Sequence, residues 1–501
     1  MCGIAGWVAA HRSAPDDRLL QPMLDALVHR GPDGCGTFAF NAPRAGVRGV
    51  LGHRRLAIID PEGSRQPMRD VDAGIALTFN GEIYNFRELR AELEAYGYAF
   101  ERDSDTEVLL RAYQHWDTGV CEHLRGQFAF AVWDASKERL YLARDRFGEK
   151  PLYLVEAGET LFFASEIKAL LAGPLAQPEI DLQAVWDYLA YRYVPGPRTL
   201  FRGIRKLAPA SWATWQAGRL RETRYWVPPD RAPLEAPLEL APAETVARFL
   251  EALEEAVELQ MVSDVPFGAF LSGGLDSSMI VALMSRHTSR VKTFSVGFTD
   301  ARYSELAHAA AVARQFGTEH HEIVVSPDEI MNYLPRLVAQ RDAPVSEPSD
   351  IPVYMLACAA RRSVKMVLTG EGSDEILGGY PPFRRDMLLH DNRGDPETLR
   401  VWSPRRPGRS RNSAGNRNSP GSNKSSPPPG PGIKGIHKVT RTEESRGAPV
   451  FPRGNQRDAA PLEFRLKRAR PGFILAANWL GPVRGTNARL RTEDDRPTTL
   501  T

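Results

Sequence analysis

At 501 residues the chain is too long for one hydrophobic core, and length alone implies roughly two to four domains. Its 42% hydrophobic and 25% charged residues are ordinary for soluble globular protein; no window approaches the ~18 uninterrupted apolar residues of a membrane span, and the N-terminus lacks the basic-then-apolar pattern of a signal peptide. A net charge of +2, from 64 basic and 62 acidic residues, gives no global electrostatic reason to bind nucleic acid or anionic lipid. Cys2, Cys35, Cys121 and Cys358 are scattered and in no metal-ligand spacing, which argues against a disulfide framework and a zinc site and makes a reducing cytoplasm the expected location.

The chain begins Met1-Cys2-Gly3-Ile4-Ala5-Gly6. Removal of Met1 would leave Cys2 with its thiol and a free α-amine on one residue. An α-amine of pKa about 8 is partly unprotonated at neutral pH, so it can take the thiol's proton without a histidine. A lone cysteine near a terminus is more often a small buried hydrophobe, and only the rest of the chain tips the balance. As far as about residue 190, short apolar runs such as Ile75 to Phe79, Phe128 to Trp133 and Leu140 to Ala143 read as buried strands. Helical periodicity lies between them, from Phe86 to Glu94 and from Thr106 to Trp116, so a layered α and β domain is expected. A proline-rich stretch over Pro228 to Pro242 reads as a linker.

Beyond it, Glu244 to Val262 carries Val246, Phe249, Leu250, Leu253, Val257 and Met261 at helical spacing. Strands and helices then alternate: strand Phe267 to Leu271, helix from Ser277, strand Lys292 to Val296, helix from Ser304, strand His321 to Val325, helix through Tyr354 to Arg361, strand Lys365 to Leu368. That alternation predicts a parallel, doubly wound sheet. The string Ser272-Gly273-Gly274-Leu275-Asp276-Ser277-Ser278 sits between a strand and a helix. Its glycines let backbone approach a polyphosphate, the N–H groups of the helix start supply donors, and Asp276 is placed to hold Mg2+ against the phosphates. The string lacks the Walker lysine and matches the pyrophosphate-binding loop of enzymes that adenylate a carboxylate or carbonyl; a plain tight turn is the weaker reading. The adjacent His320 and His321 point to opposite faces of a strand, which favours structural roles over a metal site. From about residue 391, proline and glycine are enriched, no period survives and few aromatics accompany the arginines, so 391–501 reads as a low-complexity, disordered tail and not as a nucleic-acid arm.

With Cys2 and SGGLDSS together, residues 2 to 390 resemble the glutamine-hydrolysing asparagine synthetases. His29-Arg30-Gly31-Pro32-Asp33, Leu51-Gly52-His53-Arg54-Arg55-Leu56, Asn80-Gly81-Glu82-Ile83-Tyr84-Asn85 and Arg144-Asp145-Arg146-Phe147-Gly148 are similar to signatures of that family's glutaminase domain. Ser295-Val296-Gly297-Phe298 and Gly370-Glu371-Gly372-Ser373-Asp374-Glu375 are similar to its synthetase motifs. The resemblance implies an N-terminal-nucleophile glutaminase domain over 2–193, a connecting segment and linker over 194–243, and a synthetase domain over 244–390. It implies that Cys2 attacks the glutamine amide, that Asn80 and the Gly81 N–H form the oxyanion hole, that Arg55 grips the α-carboxylate, and that Glu82 and Asp105 surround the α-amine. In the second half it implies that Leu271 and Val296 line the adenine pocket, and that Ser272, Gly273, Gly274, Ser277, Thr369 and Gly370 contact ATP. Asp276 and Asp374 become Mg2+ carboxylates, and Glu371 the acid that supports adenylate formation and ammonia attack. The substrates implied are glutamine, aspartate and ATP, with ammonia passing between the domains; a homodimer is left open.

Two departures stand out. Thr369 replaces a common serine but keeps the hydroxyl. After about residue 390 the pattern stops, as an out-of-frame reading or a natural truncation with a new tail would make it. The rival readings are a relative that amidates another carboxylate, and a bare glutaminase with an idle second half.

Overall fold

Because both faces of the N-terminal strands are apolar, those strands need cover on both sides, and the computed structural model supplies it with four layers. The structure describes residues 1–381 and 383, except 11–13, 43–45, 176–177 and 229–240. Most of the proline-rich linker and the whole low-complexity tail therefore lie outside the described residues. All elements below belong to one compact unit within Met1–Gly379.

Twelve strands build two six-stranded antiparallel sheets: β1 (Gly3–Ala10), β2 (Gly34–Ala42), β3 (Val47–Arg55), β4 (Met68–Asp70), β5 (Ile75–Ile83), β6 (Gly126–Asp134), β7 (Arg139–Arg144), β8 (Tyr153–Ala157), β9 (Thr160–Ala164), β10 (Arg205–Lys206), β11 (Ser211–Gln216) and β12 (Arg219–Arg224). Their orders are β10-β8-β9-β1-β3-β2 and β12-β11-β7-β6-β5-β4. Alternation explains the stacking. On β6, Ala129, Ala131 and Trp133 join Ile4, Val8, Leu51 and Phe163 in the core between the sheets. Phe128, Phe130 and Val132 face the other way, into a core shared with helices Phe86–Ala95 and Asp105–Trp116. On β1, Ala5, Trp7 and Ala9 likewise turn outward, toward helices Leu20–Asp25 and Ile167–Ala172. Strands β10 to β12 fall in the segment read as a connector, yet they complete both sheets.

In the second half, β13 (Phe267–Phe270), β14 (Lys292–Phe298), β15 (Glu319–Val325) and β16 (Met366–Leu368) form the expected parallel sheet in the order β15-β14-β13-β16. Helices Pro242–Gln260, Leu275–His287 and Leu306–Phe316 bury one face, and Pro327–Arg341 with Asp350–Ala360 bury the other. Strand order reverses at β13, whose neighbours β14 and β16 lie on opposite sides, and ligands of doubly wound folds bind at the carboxyl ends beside such a point. Helix Leu275–His287 starts two residues before the expected Ser277, since Gly274 at φ −71°, ψ 165° already serves as its N-cap. Helix Pro327–Arg341 was not legible in the sequence, because Pro335 interrupts its pattern; the reciprocal capping of Ser326 and Glu329 starts it, with Pro327 in the first turn. Among the described residues, no helix is long and apolar enough to cross a membrane.

Candidate active sites

Strand β1 delivers Cys2 to the mouth of a cavity of about 490 Å3, including its part open to solvent, which is also lined by Met1, Arg55, Asn80, Gly81, Glu82 and Asp105. All six residues assigned to glutamine chemistry from the sequence thus border one space. The Cys2 thiol is held by Leu56, whose N–H donates to Sγ at 3.3 Å and whose carbonyl accepts from it at 3.5 Å. The Cys2 carbonyl accepts from Arg30 Nε at 2.8 Å. Burial pushes the thiol above its ordinary pKa, against the nearby positive charges. Met1 is 5% exposed, and burial, followed by the Arg30 charge, lowers its α-amine well below the usual range. While Met1 is retained, the Cys2 nitrogen is a peptide amide and cannot serve as a base, and Met1 itself lines the cavity.

Asn80 is fully buried, and neither Oδ1 nor Nδ2 has a hydrogen-bond partner. Such an orphaned carboxamide costs about 1–3 kcal/mol, and it borders the same cavity as Cys2. Next to it, Gly81 is irreplaceable on steric grounds: a Cβ there would lie 2.1 Å from the Gln127 carbonyl oxygen. Arg55 presents its guanidinium at the cavity edge while donating to the carbonyls of Asp60, at 2.6 Å, and Pro61. Burial raises the Glu82 carboxyl to about 7, with Lys150 opposing and Asp105 reinforcing the rise. Burial also raises Asp105 to about 6, although the N–H of Ile83 and the Thr106 hydroxyl donate to it. The cavity lining therefore combines the Arg55 guanidinium with two carboxyls that burial makes reluctant to ionise, groups of both signs that a zwitterionic amino acid needs.

Lys150, which the sequence reading missed, also borders the cavity. Asp145 organises the turn that brings it there, accepting from the N–H groups of Phe147, Glu149 and Lys150. Burial lowers the Lys150 ammonium, and Glu149 and Glu82 oppose that. The only sequence signal was its place just after Arg144-Asp145-Arg146-Phe147-Gly148.

At the carboxyl end of β13, Gly273 adopts φ +79°, and a Cβ there would meet Ala309 N at 2.5 Å, so only glycine fits. Ser277 Oγ lies 3.0 Å from Ser272 Oγ, accepts from Ser272 N–H at 3.2 Å and donates to the Gly274 carbonyl at 3.2 Å. The loop is thus shaped before any ligand arrives, with Ser272 and Gly274 left exposed. Gly370, after β16, packs against the start of helix Leu275–His287, where a Cβ would lie 2.8 Å from the Asp276 carbonyl carbon. Burial and the Asp374 charge raise Asp276. Desolvation, then Glu375 and Asp374, raise Glu371. Thr369, Gly370 and Glu371 therefore lie on the loop after β16, and Asp374 in the first turn of the short helix Ser373–Leu377 that follows, with Gly370 against Asp276 and the Asp374 charge acting on Asp276. Leu271 and Val296 do not share a face, since Leu271 packs beneath helix Leu275–His287 and Val296 packs against the opposite core. His320 Nδ1 lies 2.9 Å from Thr293 Oγ1, and His321 Nε2 lies 3.0 Å from Glu319 Oε1 while its ring stacks on Phe294. Among the described residues, no group of three or more His, Cys, Asp or Glu side chains is arranged to hold a metal.

Comparison with known proteins follows this division. Residues 1–226 match the glutamine amidotransferase domain model, and residues 248–428 match the asparagine synthase model. The chain is 40% identical over 393 residues to glutamine-hydrolysing asparagine synthetase 1 of Bacillus subtilis, covering 78% of this chain and 60% of the relative. It is 40% identical over 420 residues to a putative glutamine-hydrolysing asparagine synthetase of Mycobacterium tuberculosis, covering 80% of this chain and 63% of the relative. The chain thus spans about three fifths of the length of these curated relatives. To the putative glutamine-hydrolysing asparagine synthetase 2 of Methanocaldococcus jannaschii it is 33% identical over 428 residues, with 81% of each chain covered. The chain belongs to the glutamine-hydrolysing asparagine synthetase family.

Proposed function

We propose that the chain hydrolyses glutamine at Cys2 and uses the released ammonia to amidate aspartate that ATP has activated. The orphaned carboxamide of Asn80, buried in the cavity that Cys2 borders, is the observation that carries the first half. Once Met1 is removed, the freed α-amine accepts the thiol proton and sulfur adds to the side-chain amide carbon of glutamine. Asn80 Nδ2 and the Gly81 N–H donate to the oxyanion that forms. Collapse of the tetrahedral centre breaks the C–N bond, the α-ammonium returns its proton to the departing ammonia, and water then hydrolyses the thioester to glutamate. Arg55 pairs with the substrate α-carboxylate; Glu82 and Asp105, once ionised, pair with its α-ammonium.

In the second half, the SGGLDSS loop supplies N–H and hydroxyl donors for the pyrophosphate portion of ATP. Asp276, whose carboxyl is raised by burial and by the Asp374 charge, and Asp374 beside it fit a Mg2+ ion, which takes one or two carboxylates and completes its shell with water and phosphate. Bound there, the ion would neutralise charge on the leaving pyrophosphate. The aspartate carboxylate displaces pyrophosphate from the α-phosphorus, and ammonia then displaces AMP from the acyl-adenylate, with Glu371 beside the reacting groups. Ammonia would travel between the halves, since release to neutral solvent would protonate it.

The test measures glutamine hydrolysis alongside pyrophosphate release from ATP, with aspartate and with a panel of other carboxylic acids. Aspartate-dependent pyrophosphate release supports the reading. Release with a different acid replaces the acceptor, and glutamine hydrolysis with no pyrophosphate release for any acid reduces the chain to a glutaminase. The acceptor is the part that most needs this assay, because the chain spans only about three fifths of its Bacillus relative.

A further inference from the structure

Two polar series run from Cys2 into the parallel-sheet half, one from its carbonyl and one from its thiol. On the carbonyl side, Arg30 Nε donates to the Cys2 oxygen at 2.8 Å, and Arg30 Nη1 donates to Glu166 Oε1 at 2.8 Å. Lys168 Nζ donates to Glu166 Oε2 at 2.7 Å, and then to the Gln340 carbonyl at 2.7 Å and Asp342 Oδ2 at 3.1 Å. The Lys168 backbone N–H reaches the same Asp342 oxygen at 2.9 Å. Arg30 is 2% exposed and Glu166 is 3% exposed. Burial alone would raise the Glu166 carboxyl, but the His29 hydrogen bond and the Arg30 and Lys168 charges hold it well below the usual carboxylate range. Asp342 caps the carboxyl end of helix Pro327–Arg341 with φ +54°.

On the thiol side, Leu56 holds Sγ through its backbone, and the next N–H, that of Ala57, donates to Asp33 Oδ2 at 3.0 Å. That oxygen also accepts from Lys365 Nζ at 2.8 Å, and Lys365 Nζ lies 3.5 Å from the Ala57 carbonyl. Lys365 is anchored through its own N–H to the Pro266 carbonyl at 2.9 Å. Pro266 and Lys365 immediately precede β13 and β16. The amino ends of these two strands are therefore linked, through Lys365, Asp33 and the Ala57 N–H, to the Leu56 backbone that holds the thiol, while their carboxyl ends lead into SGGLDSS and Thr369 to Asp374. A four-residue strand such as β13 bridges that interval in about 13 Å.

We propose that the parallel-sheet half positions the nucleophile, with Lys168 and Asp342 acting on the Cys2 carbonyl and Lys365 acting through Asp33 on the peptide that holds the thiol. None of these side chains needs to touch substrate; they are positioning residues. The inference rests on the reading of Cys2 as the glutaminase nucleophile. An interface that merely glued two halves together would serve stability, whereas a half-exposed pair such as Lys365–Asp33 contributes little to stability. Its worth lies in fixing a backbone N–H next to the one on the sulfur, and small displacements of a reacting group cost rate disproportionately.

The experiment uses the full chain with Met1 removed and compares Lys365→Met, Asp342→Asn, Lys168→Met and Lys168→Arg. Three readouts are taken: glutaminase kcat and KM separately, the pH dependence of iodoacetamide alkylation followed on the Cys2 peptide, and thermal unfolding. Lys365→Met, Asp342→Asn and Lys168→Met are expected to lower kcat about three- to tenfold with KM within about twofold, and to slow Cys2 alkylation in parallel. Lys168→Arg should restore most of the loss. Lys365→Met should do this without moving the unfolding temperature. Unchanged kcat and unchanged alkylation profiles in both Lys365→Met and Asp342→Asn would overturn the proposal; if Asp342→Asn does not fold, Lys365→Met decides alone. Hydrolysis that survives in Cys2→Ala would instead strike down the nucleophile reading, and the alkylation profile would still report whether the distant residues set the reactivity of the thiol.

Discussion

At Cys2 the working groups are buried before a ligand arrives, with Asn80, Glu82, Asp105 and Lys150 all 5% exposed or less. At the other site Ser272, Gly274, Leu275 and Glu371 stand open to solvent, and the loop is ordered mainly by its own serines. The contrast follows from the folds. Two stacked sheets with helices outside enclose a space at their edge, whereas an open parallel sheet displays loops at one end of its strands. The first site has met the cost of desolvation in folding, so removing a group aimed at the reacting amide, such as Cys2 or Asn80, should cost rate. The second awaits its ligand's charge, so removing a group there should cost affinity.

The largest break of that contrast is Cys2→Ala, expected to lower glutamine hydrolysis by about 10^4-fold or more while ammonium-dependent amidation persists. A steady-state assay with each nitrogen source reads it, and Cys35→Ala, on an exposed strand position, should be silent. Asn80→Ala comes next, with kcat falling about 10^2- to 10^3-fold and KM changing little. A loss confined to KM would make Asn80 a ground-state binder. Asp276→Asn should weaken Mg-ATP binding by about tenfold in calorimetry and leave glutamine hydrolysis within about twofold. Equal losses in both activities would erase the division between the sites.

The smallest effect is on pH. Because burial lifts Glu82 to about 7 and Asp105 to about 6, glutamine KM should fall as pH rises from 5.5 to 7.5 and both carboxyls ionise. Stability should move in the opposite sense. A carboxyl whose folded pKa is raised favours the folded state most at low pH, and loses that contribution as pH rises from about 4 through its folded pKa. Glu82→Gln should flatten both curves, raising the urea midpoint at pH 8 relative to the parent and weakening glutamine binding. A lower urea midpoint in Glu82→Gln than in the parent at pH 8 would show that the acid is held charged in the free protein.

Local patterns were legible in the sequence and long-range placements were not. The SGGLDSS string and the alternation of strands and helices each announce themselves within a few residues, since a strained loop or a two-sided strand constrains its own neighbours, whereas Cys2 became readable only beside the motifs further along the chain. Lys150 carries no such mark; its burial beside Glu82 depends on a turn that Asp145 organises and on strands far away in the chain. The opposite facing of Leu271 and Val296 depends on how β13 and β14 are paired, which a one-dimensional pattern does not report. Pro335 hid a whole helix because the period it interrupts is the signal being sought.

The position of β1 also sets a timetable. It is an inner strand, paired with β3 on one side and β9 on the other, and Ile4 N–H donates to Ser165 Oγ at 2.9 Å. A ribosome must therefore deliver residues up to about 165 before the N-terminus can dock, which at roughly 5–20 residues per second leaves Met1 free for on the order of ten to thirty seconds. After docking, Met1 is 5% exposed with its sulfur against Arg30. Under the proposed role of Cys2, trimming by an aminopeptidase is therefore expected on the nascent chain, since docking withdraws Met1 from solvent.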